Sequence, residues 1–114
     1  MNFRPELAAK VIAGEKTVTR RLVSQNPRSP WYVMRCSLQL GRDYAVCPGR
    51  GKNAIGRVVI RQIDQLTLGR LTDAEARLEG FPDAAAFEDA FAAINGSYNP
   101  HLLVWRIAFE VLPA

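Results

Sequence analysis

The side chains best suited to chemistry in this sequence lie in the segment Gly14-Glu15-Lys16-Thr17-Val18-Thr19-Arg20-Arg21. A lysine whose pKa is lowered can act as a base, and a threonine becomes a nucleophile when a base accepts its hydroxyl proton. Arginines bind anions through a planar, forked set of donors. The segment therefore predicts a site for a phosphate-bearing or otherwise polar ligand. The alternative is an exposed strand edge that carries charges and binds nothing.

The spacing of Lys16 and Thr19 sets a condition on the backbone. The two residues are three positions apart, so on a regular strand their side chains would point to opposite faces. A shared pocket requires either a bend in the strand or a strand that begins after Lys16. Gly14 favours a turn at that point, since glycine readily adopts the left-handed conformation that ends many helices.

Hydrophobic periodicity predicts the elements around this segment. A helix is expected over 5–13 and strands over 17–23, 44–47, 55–63 and 102–112, with the last as a central strand. In the 55–63 strand, Val58, Ile60 and Gln62 are expected on one face. Residues 24–39 show no period and predict a long loop.

Two further helices are predicted in the second half of the chain. Thr72 and Glu75 form a capping box at the start of the first, which is expected to end near Gly80. Asp83 is expected to cap the second, where Phe87, Phe91 and Ile94 recur on one face and are assigned to the core. Because strands and helices do not alternate strictly, the order favours a small mixed or mainly antiparallel barrel over a doubly wound parallel sheet.

Charge is distributed unevenly along the 114 residues. Residues 1–61 hold 12 Lys/Arg and 3 Asp/Glu, a net charge of +9, whereas residues 62–114 hold 3 Lys/Arg and 8 Asp/Glu, a net charge of −5. Most of the cations are arginines, which favours an anionic partner such as RNA or a nucleotide. A genome that uses arginine in place of lysine is the alternative explanation, but it does not account for the difference in net charge between the two halves of the chain.

Two other basic segments are candidates for nucleic-acid contact. Trp31 and Tyr32 are flanked by Arg28 and Arg35, which suggests a stacking platform for a base. The alternative is that Trp31 anchors the loop onto the core. The phrase Gly49-Arg50-Gly51-Lys52 suits contact with backbone phosphates or, alternatively, an exposed hairpin, and it lacks the spacing of an NTP-binding loop.

The sequence offers no metal site. Cys36, Cys47 and His101 do not match any zinc-binding spacing, so we expect reduced thiols and neither a metal nor another cofactor. The chain shows neither a signal-peptide pattern nor an apolar run of membrane-spanning length, which predicts a cytoplasmic protein without membrane contact. Composition and pattern leave the oligomeric state undetermined.

Three phrases of the sequence occur together in a known family. They are Gly14-x-Lys16-Thr17-x-Thr19-x-Arg21, Leu71-Thr72-x-x-x-Ala76-x-x-Glu79-Gly80-Phe81, and the strand phrase Ile107-Ala108-Phe109. In this order they resemble the ASCH (activating signal cointegrator homology) domain over roughly residues 3–112. The resemblance implies one domain spanning residues 1–114, of the α+β class, with a PUA-like mixed β-barrel and short helices packed at its ends.

The resemblance also implies work on RNA or on a modified nucleoside. Some small bacterial members are amidohydrolases that deacetylate N4-acetylcytidine with a catalytic Lys, Thr and Glu, which correspond here to Lys16, Thr19 and Glu79. Others are described as ribonucleases. The sequence departs from the amidohydrolase pattern at Arg20, where an apolar residue is usual, and in the inserted-looking segment 26–39.

Our first interpretation is an RNA- or nucleotide-binding domain that acts through a basic cleft. The expected nucleic-acid contacts are Arg20, Arg21, Arg28, Trp31, Tyr32, Arg35, Arg50 and Lys52. The alternative is the amidohydrolase, in which Lys16 accepts the proton of Thr19 and Thr19 attacks the acetyl carbonyl. Glu79 would then either orient the amine or shuttle a proton to the departing N4 nitrogen. A ribonuclease ranks lower because no histidine is placed to act as its general acid.

Overall fold

The chain folds into six strands and three helices, and the computed structural model describes all residues, 1–114. The helices are α1 (Pro5–Ile12), α2 (Asp73–Leu78) and α3 (Ala84–Asn95). The strands are β1 (Val18–Leu22), β2 (Trp31–Tyr32), β3 (Arg35–Cys36), β4 (Asp43–Val46), β5 (Gly56–Thr67) and β6 (Leu103–Val111). No helix has the length and apolar character needed to cross a membrane.

Four strands form one antiparallel sheet in the order β1-β6-β5-β4, and β2 and β3 form a separate hairpin. The α+β class is thus confirmed, as is the central position of β6. The ladder ends at β1 on one side and at β4 on the other, and no pairing between these two strands closes it into a barrel. β1 is therefore an edge strand, and it carries the candidate residues Thr19, Arg20 and Arg21.

Helices cover both faces of this sheet. On one face, Val11 of α1 packs in a cluster with Ile107 and Phe109 of β6. On the other face, Val104 of the same strand packs with Phe87 and Phe91 of α3. Because side chains alternate along a strand, residues 104 and 107 point to opposite sides. The sheet thus separates an α1 layer from an α2–α3 layer, with β6 buried in both.

The prediction for β5 was wrong in one respect. Ile60 pairs with Phe109 and Gln62 with Ala108, so β5 has one residue more than β6 at this point, a β-bulge at Arg61. The bulge reverses the alternation, which puts Ile60 and Gln62 on opposite faces and brings Ile63 to the α1 side. β5 also continues to Thr67, beyond the predicted end at residue 63.

Thr72 and Asp83 cap α2 and α3 as predicted, but the capping box is incomplete, because the Glu75 carboxylate binds Arg20 and Arg106 and not the Thr72 N–H. The Thr72 side chain accepts a hydrogen bond from the Glu75 N–H at 3.1 Å, and Asp83 accepts one from the Ala86 N–H at 2.9 Å. Phe87 and Phe91 are buried as predicted, whereas Ile94 is 57% exposed and not a core residue. Ile94 lies in the last turn of α3, where the helix borders a cavity and no longer the sheet.

Residues 24–39, predicted as a loop, contain the β2–β3 hairpin. The hairpin is fixed to the sheet by the Trp105 indole N–H, which donates to the Trp31 carbonyl at 3.1 Å, and by the Gln65 side chain, which donates to the Val33 carbonyl at 2.8 Å. Trp31 also packs against the α1-side core. Trp31 thus anchors the segment 24–39 onto the core, which is one of the two roles predicted for it.

Candidate functional site

The buried polar side chains of this protein are concentrated in one place. Of the 21 buried residues, only Lys16, Thr19 and Glu79 are polar or charged, with exposures of 2%, 5% and 3%. Burial of polar or charged side chains costs free energy unless they form hydrogen bonds or ion pairs. It is therefore rare, and it is frequent at functional sites. These are the three residues that the sequence analysis singles out as a catalytic set.

The turn after α1 positions Lys16 in this cluster of buried polar side chains. Gly14 adopts a positive φ of 78°, and the Lys16 N–H then donates to the Lys10 carbonyl at 3.1 Å. β1 begins only at Val18. The prediction that the strand begins after Lys16 is therefore confirmed, and the side chain is free of the alternation that governs Thr19.

The Lys16 ammonium has a complete set of hydrogen bonds. Nζ donates to the Val18 carbonyl at 2.7 Å, to the Glu79 carbonyl at 2.8 Å and to Glu79 Oε1 at 3.1 Å. These three acceptors match the three protons of the charged form. Burial nevertheless lowers the pKa of Lys16, and the opposing effect of the Glu79 carboxylate is the smaller one. The group is held as an ammonium whose proton is easier to remove than that of an exposed lysine.

Glu79 reaches the site from the end of α2. It is the C-terminal cap of that helix, and Gly80 follows with a φ of 94°, which turns the chain away. Its Oε1 accepts from Lys16, and its Oε2 accepts from Arg20 Nη1 at 2.8 Å. The carboxylate thus bridges two cations from the N-terminal part of the chain.

Thr19 lines the same cavity as this pair and makes no hydrogen bond to Lys16. It occupies the second position of β1, pairs with Ile107 and faces the α1 side of the sheet. All three hydrogen bonds of Lys16 Nζ go to other acceptors. A proton transfer from Thr19 to Lys16 therefore needs one of these bonds to break or a water to bridge the two groups.

Arg20 is held entirely by carboxylates of the protein. Its side chain is 4% exposed, and Nη2 donates to Glu75 Oε1 at 2.6 Å while Nη1 bonds Glu79. Glu75 also accepts from Arg106 Nε at 2.9 Å. Arg20 was predicted to contact nucleic acid, but its two terminal nitrogens bind carboxylates inside the protein, and only its buried Nε has no partner.

Arg21 points to the other face and makes no ion pair. Its Nη2 donates to the Asn2 carbonyl at 2.9 Å, and its Nε is buried without a partner. The guanidinium lies 5.2 Å from the centroid of the Phe3 ring and 5.7 Å from that of Trp31. Burial lowers the pKa of Arg21, against the opposing charge of Glu79. A buried guanidinium with a free donor suits a carbonyl or anionic group of a ligand.

These groups share a cavity of about 620 Å³. Its walls include Lys16, Thr19, Arg21, Trp31 and Glu79 on one side and the α3 face on the other. This volume is typical of small-molecule sites, which combine apolar walls with a few polar groups. The cavity is thus large enough for a ligand the size of a nucleoside.

The predicted nucleic-acid contacts divide into two groups. Four line the cavity: Arg20, Arg21, Trp31 and Arg50. The other four lie outside it, with Arg28, Arg35 and Lys52 exposed and Tyr32 half-buried in β2. The structure thus does not bring the eight residues together into one surface.

Sequence reasoning missed Phe3, Asn2, Glu75 and Arg106. Glu75 was assigned only to the capping box, although its position four residues before Glu79 places both carboxylates on one side of α2. A sequence signal did exist for Arg106, since it is the only cation within the mainly apolar alternation of β6. No sequence signal marked Asn2 or Phe3 as site residues, because a short N-terminal segment has no periodicity. No group of His, Cys, Asp and Glu side chains is arranged to hold a metal ion.

Comparison with solved structures identifies the fold. An ASCH domain from Lactobacillus crispatus JV V101 superposes with a TM-score of 0.72 and 18% identity over 93% of this chain and 70% of that one. A DUF984 protein from Enterococcus faecalis V583 gives a TM-score of 0.61 and 18% identity over 94% and 70%. A mutant ASCH protein from Zymomonas mobilis gives 0.60 and 18% over 97% and 68%.

No protein-family model and no curated protein matches the sequence. The structural neighbours define the class, because they share the architecture along almost the whole chain. The protein has the fold of an ASCH domain, as the three sequence phrases predicted.

Proposed function

We propose that this protein is an amidohydrolase that deacetylates N4-acetylcytidine or a closely related N-acylated nucleoside. The observation that carries the proposal is the shared burial of Lys16, Thr19 and Glu79 in the wall of one cavity. A purely RNA-binding surface would gain nothing from removing an amine, a hydroxyl and a carboxylate from water. An enzyme gains perturbed groups at the point of reaction.

In the first half of the reaction, Lys16 gives up a proton to solvent, a step favoured by the burial that lowers its pKa. The neutral amine accepts the proton of the Thr19 hydroxyl, and the oxygen attacks the acetyl carbonyl carbon. As the tetrahedral intermediate collapses, the C–N bond breaks and the N4 nitrogen takes a proton from Lys16. Cytidine leaves, and the acetyl group remains as an ester on Thr19.

In the second half, a water molecule attacks the ester and releases acetate, which restores the Thr19 hydroxyl. Lys16 again accepts and returns the proton, and Glu79 keeps the amine in place between the two steps through its 3.1 Å contact. Arg21 and Trp31 are the proposed contacts of the nucleobase, because both side chains line the cavity and a guanidinium can donate to a base carbonyl.

The test is turnover of N4-acetylcytidine by the purified protein, followed by chromatographic separation of cytidine. We expect the wild-type protein to release cytidine and acetate in equal amounts. Thr19→Ala removes the nucleophile and should lower kcat by about a thousandfold or more. Thr17→Ala is the matched control, because Thr17 is two positions away and does not line the cavity. Retained turnover in Thr19→Ala would refute the proposed role of Thr19.

RNA binding is the second candidate function, and the exposure of Arg28, Arg35, Arg50 and Lys52 on the basic half of the chain favours it. Binding through several phosphates releases counterions, so the affinity for a short RNA should fall steeply as salt rises. The KM for an uncharged nucleoside should change little over the same range. A flat salt response of RNA affinity, measured by fluorescence anisotropy, would argue against a phosphate-binding surface.

A further inference from the structure

We propose that Glu75 is a positioning residue for this site: it fixes Arg20, and Arg20 in turn holds the Glu79 carboxylate against Lys16. The inference rests on the proposed function for its kinetic test. It adds a group from α2 that lies outside the predicted catalytic set and is assigned no role in the reaction itself.

The contacts form a continuous chain. Arg20 uses its two terminal nitrogens on two different carboxylates, Glu75 Oε1 at 2.6 Å and Glu79 Oε2 at 2.8 Å. The remaining oxygen of Glu79 accepts from Lys16 at 3.1 Å. Each oxygen of the Glu79 carboxylate therefore has one cation, and the orientation of the group is fixed from both sides.

Arg106 ties Glu75 to the central strand. Its Nε and Nη2 donate to Glu75 Oε1 at 2.9 Å and to Oε2 at 3.2 Å. Arg106 lies opposite Arg20 in the β1–β6 pairing, so the two guanidiniums would repel each other without the carboxylate between them. Glu75 thus neutralises this pair and sets the direction in which Arg20 extends.

Removal of the Glu75 charge should change how the two oxygens of the Glu79 carboxylate are shared between Lys16 and Arg20. Arg20, with one carboxylate left, can turn its planar fork onto both oxygens of Glu79. Lys16 would then lose its share of the carboxylate, although Lys16, Arg20 and Glu79 are all unchanged in sequence. The consequence is a misplaced amine next to Thr19, which affects the chemical step more than binding of the base.

The kinetic experiment compares Glu75→Gln with wild type on N4-acetylcytidine. We expect kcat to fall roughly tenfold to a hundredfold, the effect of one charge-assisted hydrogen bond, with KM changed less than about twofold. Glu110→Gln is the matched control, because it breaks the exposed ion pair with Arg61 on the opposite part of the sheet. A lower melting temperature with unchanged kcat in Glu75→Gln would overturn the proposal.

A double-mutant cycle shows whether the effect passes through Arg20. Replacement of Arg20 with leucine removes the proposed intermediary, so Glu75→Gln should cause no further loss of kcat in an Arg20→Leu background. Independent, multiplicative losses would contradict the proposal. If Glu75→Gln does not fold, Arg106→Gln loosens the same carboxylate and should give a smaller loss of kcat, whereas an unchanged kcat would count against it.

A titration that needs no turnover separates this inference from the proposed function. The midpoint of the Lys16 side-chain titration, followed by NMR of the Cε–H signals, should move to lower pH in Glu75→Gln because Lys16 loses negative charge nearby. It should stay in place in Glu110→Gln. A protein that does not hydrolyse the nucleoside but shows this shift disproves the amidohydrolase alone. An unshifted midpoint in Glu75→Gln disproves the positioning role, whatever the turnover.

Discussion

Arg20 and Arg21 are neighbours in the chain but have different chemical environments. They occupy successive positions of β1 and therefore point to opposite faces of the sheet. On the α2 side, two carboxylates hold Arg20. On the α1 side, Arg21 contacts two aromatic rings and has an unpaired Nε. Both arginines have a buried Nε without a partner, but only Arg21 makes no ion pair, which supports its proposed contact with the ligand.

Replacing Arg21 with lysine tests its role in recognition. A lysine keeps the charge but loses the planar fork and the stacking on the aromatic rings. We expect KM for N4-acetylcytidine, and Kd for the product cytidine measured by calorimetry, to rise roughly tenfold, the effect of about 1.4 kcal/mol. Arg28→Lys, outside the cavity, is the control. An unchanged Kd in Arg21→Lys would mean that the base binds elsewhere.

The site was predictable from the sequence only in part. Lys16 and Thr19 stand out by residue type and spacing, and Glu79 was found because it belongs to a family phrase. The ion pairs of Arg20 could not be predicted, since its two carboxylate partners lie 55 and 59 residues further along the chain. Pairing over such separations depends on how elements pack, which local patterns do not specify.

The end of α2 positions both members of the Lys16–Glu79 pair. Gly80 follows Glu79 directly with a φ of 94°, and a Cβ placed there would lie 3.4 Å from Lys16 Cβ and 3.4 Å from Lys10 Cδ. These are ordinary van der Waals distances, so the requirement for glycine comes from the left-handed turn that directs the chain away after Glu79.

Gly80→Ala should damage the site and the fold together. We expect a loss of about 1–2 kcal/mol in unfolding free energy from the strained turn, measured by urea denaturation, and a lower kcat because the strain shifts the adjacent Glu79. Gly41→Ala is the control, since Gly41 has a φ of 78° and lies far from the site in sequence. Equal kcat values in the two variants would show that the turn at residue 80 does not position Glu79.

At this scale the sequence predicted the long elements best. The helix caps at Thr72 and Asp83 and the alternation in β6 gave their elements correctly, because these signals are local. The bulge at Arg61 and the β2–β3 hairpin were missed. A bulge depends on how two distant strands fit together, and two-residue strands are too short to show a period.

The network of charges joins both halves of the molecule. Lys16 and Arg20 come from the half with a net charge of +9, and Glu75 and Glu79 from the half with −5. The uneven distribution of charge thus has an internal role as well as the proposed role in attracting RNA. The folded state depends on these carboxylates remaining ionised.

Acid should therefore destabilise the protein through Glu75. Hydrogen bonds from Arg106, and then from Arg20, hold the pKa of Glu75 below its usual value of 4.5. A carboxylate with a lowered folded-state pKa stabilises the fold above its unfolded pKa, and this contribution is lost as pH falls towards the folded value. Between about pH 5 and pH 3, unfolding free energy should fall more steeply in wild type than in Glu75→Gln. Parallel curves from urea denaturation would contradict this.

The most direct test of the central claim is a crystal structure of Thr19→Ala soaked with N4-acetylcytidine. The account predicts that the acetyl carbonyl carbon lies about 3 Å from the position vacated by the Thr19 hydroxyl oxygen, and that the base contacts Arg21 and Trp31. A nucleoside bound outside the cavity on the exposed arginines, or an empty cavity at saturating ligand, would contradict it.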